Sequence, residues 1–202
     1  AEDRALQNVR TDQGALYIFL NYPDFGFLSN ADQIFFGSLR RNNGNWTGET
    51  NLRLGTAIAA GDFNNDGFCE VAVSSTSFIN GTGLVYVHTG SDSGVSSYPK
   101  YAYQGTNEDA QLGQTMLFGD ITNDDRDELI LAEPGQAGGS IYVFRGQDTI
   151  ATDDVVDLGI VSSAEWIYSD SVADNQSGFS LAVGDINRDD ISTRCIDHEI
   201  TL

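Results

Sequence analysis

The chain has 202 residues, with 10 Lys and Arg against 30 Asp and Glu, giving a formal net charge of −20. That excess of carboxylates excludes nucleic acid as the expected partner, because gripping phosphates takes clustered Lys and Arg, and it disfavours an anionic lipid surface. With 40% hydrophobic and 10% aromatic residues the chain can bury a core, and no apolar run approaches the roughly 18 residues of a transmembrane helix.

The N-terminus opens polar, as Ala1-Glu2-Asp3-Arg4, and shows no signal peptide. A mature chain after cleavage would look the same. The first strand signal is GALYIF from Gly14, where β-branched, aromatic and aliphatic residues follow a glycine. An aromatic strand end, QIFFG, follows at Gln33–Gly37. A polar, Gly- and Asn-rich insertion then runs from Arg40 to Asn51 and carries Trp46.

From Leu54 the chain reads LGTAIAAGDFNNDGFCEVAVSS, then GLVYVH from Gly83 and YAYQG at Tyr101–Gly105. The same succession returns as LGQTMLFGDITNDDRDELILAE from Leu112, GSIYVF from Gly139 and EWIYS at Glu165–Ser169. A third copy opens as SGFSLAVGDINRDD from Ser177. One unit is therefore strand, acidic loop, strand, glycine turn, strand, loop, strand, repeating at roughly 60 residues. No segment shows sustained helical periodicity. Tyr17, Tyr86 and Tyr142 share one offset in the repeat, which suggests core or inter-blade packing. Four-stranded units at such a period predict an all-β fold of propeller blades.

The units set the domain organisation. Residues 1–53 hold the end of one blade and the long insertion. Residues 54–105 and 112–169 are full blades, each with an acidic loop, and 177–202 start a further blade. The propeller is thus incomplete, with about two full blades and two half-blades, whereas closed propellers take about four to eight. After Asp190 the chain reads ISTRCIDHEITL, where Arg194 and Asp197 interrupt what should be a buried strand. The tail reads as a truncated or altered repeat or as an interaction tail.

The acidic loops point to metal. In GDFNNDGFCE, oxygen-bearing side chains fall at alternate positions: Asp62, Asn64, Asp66 and, at the ninth, Glu70. Alternate spacing turns side chains inward around a cation, Gly67 permits the sharp turn, and the carbonyl of Phe68 completes the set. Hard oxygen donors in a turn suit Ca²⁺. The second loop offers Asp120, Thr122, Asp124, the Arg126 carbonyl and Glu128, with Asp125 where the first has Gly67. The third offers Asp185, Asn187, Asp189 and the Ile191 carbonyl, but Thr193 stands where a carboxylate belongs. The alternative is a solvated acidic turn, since Asp and Asn favour turns regardless.

This motif, a glycine-led apolar strand, Gly-Asp-x-Asn-x-Asp-Gly and a second apolar strand, resembles the FG-GAP repeat. The resemblance covers roughly residues 14–190. It implies a β-propeller like that of integrin α subunits, calcium held between the first two strands of a blade, and an extracellular or cell-surface setting.

Three N-glycosylation acceptors, at Asn45, Asn80 and Asn175, also tilt towards secretion. Cys69 and Cys195 permit one disulfide or two free thiols. His88 and His198 are unrelated in position and give no basis for a catalytic triad. The expected function is a non-catalytic module for adhesion or assembly, binding a protein partner or other copies of itself as an oligomer or filament. The alternatives are a carbohydrate-binding module that takes glycans, and an accessory domain of a larger secreted hydrolase.

Overall fold

The computed structural model describes residues 14–22, 26–27, 29–36, 40–42, 45–47, 52–135, 138–146, 157–160, 164–172, 175–184 and 193–197. In chain order the strands begin with β1 (Ala15–Ile18), β2 (Asn21–Tyr22), β3 (Gly26–Phe27), β4 (Gln33–Phe36), β5 (Arg40–Asn42) and β6 (Asn45–Thr47). The first full blade comprises β7 (Ile58–Gly61), β8 (Glu70–Ser75), a helical turn α1 (Phe78–Gly81), β9 (Leu84–His88), the small hairpin β10 (Gly90–Ser91) and β11 (Gly94–Val95), and β12 (Tyr101–Gln104). The second has β13 (Met116–Gly119), β14 (Glu128–Glu133), β15 (Ser140–Phe144), β16 (Asp157–Ile160) and β17 (Trp166–Ser169). A last pair is β18 (Ser180–Gly184) and β19 (Thr193–Asp197).

The two full repeats fold as antiparallel meanders, β7-β8-β9-β12 and β13-β14-β15-β17, flanked by the pairs β1-β4 and β18-β19. These are the expected two blades and two half-blades. Two details differ from the sequence reading. The first blade gains a fifth strand, β16, which comes from the second repeat and runs parallel to β12, with Tyr101 opposite Asp157 and Gln104 opposite Ile160. A backbone ladder needs no side-chain signature, so this pairing has no trace in the repeat. The tail expected to be broken by Arg194 and Asp197 forms β19 and pairs with all of β18, from Gly184–Thr193 to Ser180–Asp197.

The core lies between the blades, not within them. Successive residues of β8 and β14 point to opposite faces, and both faces are covered, so apolar residues follow one another without alternation at Val71-Ala72-Val73 and Leu129-Ile130-Leu131-Ala132. Ala72 joins Val85, Val87, Leu112, Leu129, Leu131, Tyr142 and Phe144 between the two full blades. Its neighbour Val73 packs the other way, with Leu16, Leu54, Leu84 and Tyr86. Ile130, Ala132, Ile141 and Val143 meet Leu181 and Val183 of the last pair. Tyr86 and Tyr142 are thus buried as expected, whereas Tyr17 is 54% exposed. Ile58, the first residue of β7, is 55% exposed. It lies on the inner edge, where β7 adjoins β13 and β13 adjoins β18.

The repeated glycines mark where blades touch. Gly83, ahead of β9, bridges in parallel to Leu112, the residue before the next unit's glycine. Its φ is +88°, and a Cβ there would lie 2.3 Å from the Leu112 carbonyl oxygen. Gly113 has φ +82°, and its Cβ would fall 2.7 Å from the Ser74 side chain. Only glycine accepts both the left-handed backbone and the close approach. Gly14–Leu54 repeats the bridge one blade earlier.

Candidate metal centre

Each acidic loop joins the first two strands of its unit in one register. Gly61 faces Glu70, Gly119 faces Glu128 and Gly184 faces Thr193. The antiparallel pairing therefore closes the loop and brings its ninth residue back to its start. Inside the first loop, left-handed Asn65 (φ 56°) and Gly67 (φ 86°) turn the chain tightly. Asp62 Oδ1 accepts from the Asp66 N–H at 3.1 Å, and its Oδ2 from the Gly67 N–H at 2.9 Å. The Asp66 N–H also donates to Asn64 Oδ1 at 2.9 Å, and Asp66 Oδ1 accepts from the Phe68 N–H at 2.8 Å.

Glu70 closes the set from below. Its side chain is fully buried. Oε2 accepts the Phe63 N–H at 2.9 Å, and Oε1 accepts the Gly90 N–H at 3.3 Å. The Asn64 amide donates to Asp66 Oδ2 at 3.0 Å and to Glu70 Oε1 at 3.4 Å. Burial pushes the Glu70 carboxyl up to about 7, the Gly90 and Phe63 N–H groups pull it down, and the charges of Asp66 and Asp62 raise it further. Asn64 thus links Asp66 to Glu70, while Asp62 is turned onto the Asp66 and Gly67 N–H groups. Phe68 is half exposed and contributes its N–H to the turn.

The loop is anchored by Phe63, whose ring is 1% exposed and meets Tyr101 and Phe118 edge-on, at 5.7 and 6.0 Å between centroids. That edge-to-face geometry is the favourable one for aromatic rings. The sequence reading missed a second anchor, Asp127. Its N–H donates to the Asp62 carbonyl at 2.9 Å, and its Oδ2 accepts the Asp62 N–H at 2.8 Å. The Asp120 N–H reaches the same carboxylate. One side chain so ties the two acidic loops together. Burial first, then the Asp120 and Asp62 charges, raise Asp127 against those N–H bonds.

The second loop copies the buried glutamate. Glu128 is fully buried, accepting the Ile121 N–H at 3.1 Å and the Thr122 hydroxyl at 3.3 Å. Burial raises its carboxyl, with the Asp124 and Asp120 charges adding to it and the Ile121 and Gly146 N–H groups opposing. Asp120 gathers the N–H groups of Asn123 and Asp125 at 2.6 and 3.1 Å. Asp125 sits at φ 65°, so it takes over the left-handed turn of Gly67. Asp124, however, is met by two guanidinium groups, Arg126 at 3.4 Å and Arg145 at 3.0 Å. Burial works against its charge, but the Arg145 bond, the Arg126 N–H and both cationic charges hold its carboxyl below the usual range.

The third loop, with Asp185, Asn187, Asp189 and Ile191, lies outside the described residues. Among the described residues no three His, Cys, Asp or Glu side chains form a ready metal group. In the first loop the carboxylate oxygens of Asp62, Asp66 and Glu70 are engaged by backbone N–H donors.

Cys69 is a free, exposed thiol beside the loop. Partial burial, then the charges of Asp62, Asp127 and Glu70, raise it, so it stays protonated and weakly nucleophilic. His88 is buried and bonded through Nδ1 to the Ser96 carbonyl at 2.9 Å, as a packed residue of β9. Of the sequons, Asn80 is exposed in α1, with its amide on Glu108 at 2.9 Å. The Asn175 amide bonds Asp170 at 2.8 Å. The Asn45 side chain lies outside the described residues.

A family model for the FG-GAP repeat matches residues 54–88, which span β7, the first acidic loop, β8 and β9. The chain carries an FG-GAP repeat. The match takes in both the loop and the buried glutamate that closes it, and the all-β blades around it agree with an incomplete FG-GAP propeller. Among curated proteins, mouse phosphatidylinositol-glycan-specific phospholipase D is 37% identical over 92 residues, 43% of this chain and 11% of its own length. Integrin alpha-4 of Xenopus laevis is 31% identical over 101 residues, 47% of this chain and 10% of its own. Integrin alpha-PS3 of Drosophila melanogaster is 26% identical over 147 residues, 69% of this chain and 12% of its own. The chain thus spans about a tenth of the length of these relatives. Among the described residues no helix is long and apolar enough to cross a membrane.

Proposed function

We propose that this FG-GAP unit is a non-catalytic, calcium-stabilised propeller module that works extracellularly or at the cell surface, presenting its blades to a protein partner or to further copies of itself. The observation that carries the calcium reading is Glu70. A fully buried carboxyl lies beside Asp62 and Asp66, and only neutral N–H groups attend it. Buried charge calls for a counter-charge. The Asn64 amide nitrogen bridges Asp66 and Glu70, and a flip of that amide would offer its oxygen to a cation held in its place. Asp62, Asn64, Asp66 and Glu70 would hold the ion, and the ion would supply the positive charge that the loop lacks. Asp185, Asn187 and Asp189 extend the same reading to the third loop, weakened by Thr193.

Rigidity is the consequence. The loop touches β8 through Glu70, the β10 hairpin through Gly90 and the second blade through Asp127. Neutralising its repulsion firms all three at once. The adhesion and assembly reading is supported by similarity to integrin α chains. Exposed strand edges and aromatics on β17, where Trp166 and Tyr168 stack at 6.2 Å, offer surface for a protein or a glycan. A second reading, an accessory domain of a larger secreted hydrolase, is favoured by the similarity to a phospholipase D.

Thermal melting of the chain in calcium and in excess chelator tests the proposal. Calcium should raise Tm, and Asp62→Ala should remove most of that rise. Identical melting curves in calcium and chelator overturn the calcium reading.

A further inference from the structure

The two described loops answer their negative charge in different ways. In the first, each donor to Asp62, Asp66 and Glu70 is uncharged: backbone N–H groups and the Asn64 amide. In the second, Asp124 Oδ2 accepts from Arg145 Nη2 at 3.0 Å, from Arg145 Nε at 3.4 Å and from Arg126 Nη1 at 3.4 Å. Arg145 then reaches Glu165 at 3.5 Å, tying the loop to the entry of β17. The pairing explains why Arg145 arrives there. Leu129 faces Phe144 across β14 and β15, so the next residue outward from Phe144 lies beside Glu128 at the loop. In the first blade Val71 faces His88, and the next residue is Thr89. Arg126 likewise stands where the first loop has Phe68.

We infer that Arg145, aided by Arg126, takes in the second blade the place that a divalent cation takes in the first, so the second loop is held without metal. A guanidinium is permanently charged and meets a carboxylate with a fork of fixed donors. A cation entering the loop would have to displace those donors from Asp124 and sit against two positive charges. The third loop position does not separate the two by its hydrogen bond, since the Thr122 hydroxyl donates to Glu128 at 3.3 Å as the Asn64 amide donates to Glu70 at 3.4 Å; the guanidinium groups do. The inference deepens the calcium reading of the first loop and uses it for contrast.

Equilibrium dialysis of the full chain against radioactive calcium, with its variants, tests it. Asp120→Asn should leave the number of bound ions unchanged, whereas Arg145→Met should add one. In excess chelator Arg145→Met should melt below the wild type, and calcium should recover part of that loss. An ion lost on Asp120→Asn, or a folded Arg145→Met chain that gains none, overturns the inference. Asp62→Asn serves as the separate arm. If it leaves the count unchanged, the first-loop reading fails, while the Asp120 and Arg145 arms still judge the second loop. If Asp120→Asn does not fold, the calcium recovery of Arg145→Met decides, and its absence counts against the inference.

Discussion

The first and second acidic loops share length, register and a buried glutamate, yet they differ in three surroundings. Phe63 plugs the first loop into the inter-blade core, whereas Ile121 holds the equivalent place in the second. Neutral donors surround Asp66, whereas two guanidinium groups meet Asp124. Cys69 occupies the place that Asp127 uses to bind both loops. The backbone frame is therefore common to the repeat, while the source of counter-charge belongs to each blade. A motif read one loop at a time gives the donors; the neighbouring strand decides whether those donors already have a cation.

Breaking the anchors gives the largest expected contrast. Phe63→Ala should cost about 3–5 kcal/mol, the usual range for emptying a fully buried aromatic site. Ile121→Ala should cost less, about 1–2 kcal/mol, since its side chain is only half covered. Urea unfolding of both variants, fitted with a common slope, checks the ranking; equal losses would mean the loops are anchored alike. Calcium should come next. At a free concentration a hundredfold above Kd, one ion bound only by the folded chain adds about 2.7 kcal/mol, and Glu70→Gln should remove that gain while Glu128→Gln leaves it in place.

The tie between the loops is worth less. Asp127→Ala leaves the Asp62 N–H without its acceptor, at a cost of about 1–3 kcal/mol, and Asp127→Asn should recover much of it, because an amide oxygen accepts the same bond. Smallest is a difference in pH response. Burial holds the His88 imidazole below its usual 6.5, with the Ser96 carbonyl opposing. A depressed base binds fewer protons folded than unfolded, so its contribution is intact above pH 6.5 and is lost as pH falls below it. The second blade has Phe144 at this position. His88→Phe should flatten the stability curve between pH 6.5 and 5, and an unchanged slope would show that His88 does not titrate on unfolding.

Much of this was legible before any coordinates. The glycine-led runs at Gly14, Gly83 and Gly139 become β1, β9 and β15, and the Gly-Asp pairs end β7 and β13, because alternation and turn chemistry act over a few residues. The buried glutamates at the ninth loop position were legible from spacing. Arg145 and Asp127 were not, since their partners lie 21 and 65 residues away. Nor was β16, whose parallel pairing with β12 is a backbone contact between two repeats. The outer strands show the same limit: Tyr101, Ala102 and Tyr103 of β12 are buried, with β16 hydrogen-bonded along that strand's edge, whereas WIYS, at the equivalent place, is exposed.

The repeat, the strands and the identity of the loop oxygens each depend on residue type at short, fixed spacing, and so could be read along the chain. The tertiary structure alone decided which carboxylates lie beside a guanidinium, which are left to neutral donors, and which face of each strand is covered. Those outcomes depend on how one blade packs against the next. Electrostatic and apolar contacts act across space at a few ångströms, whatever the distance along the chain.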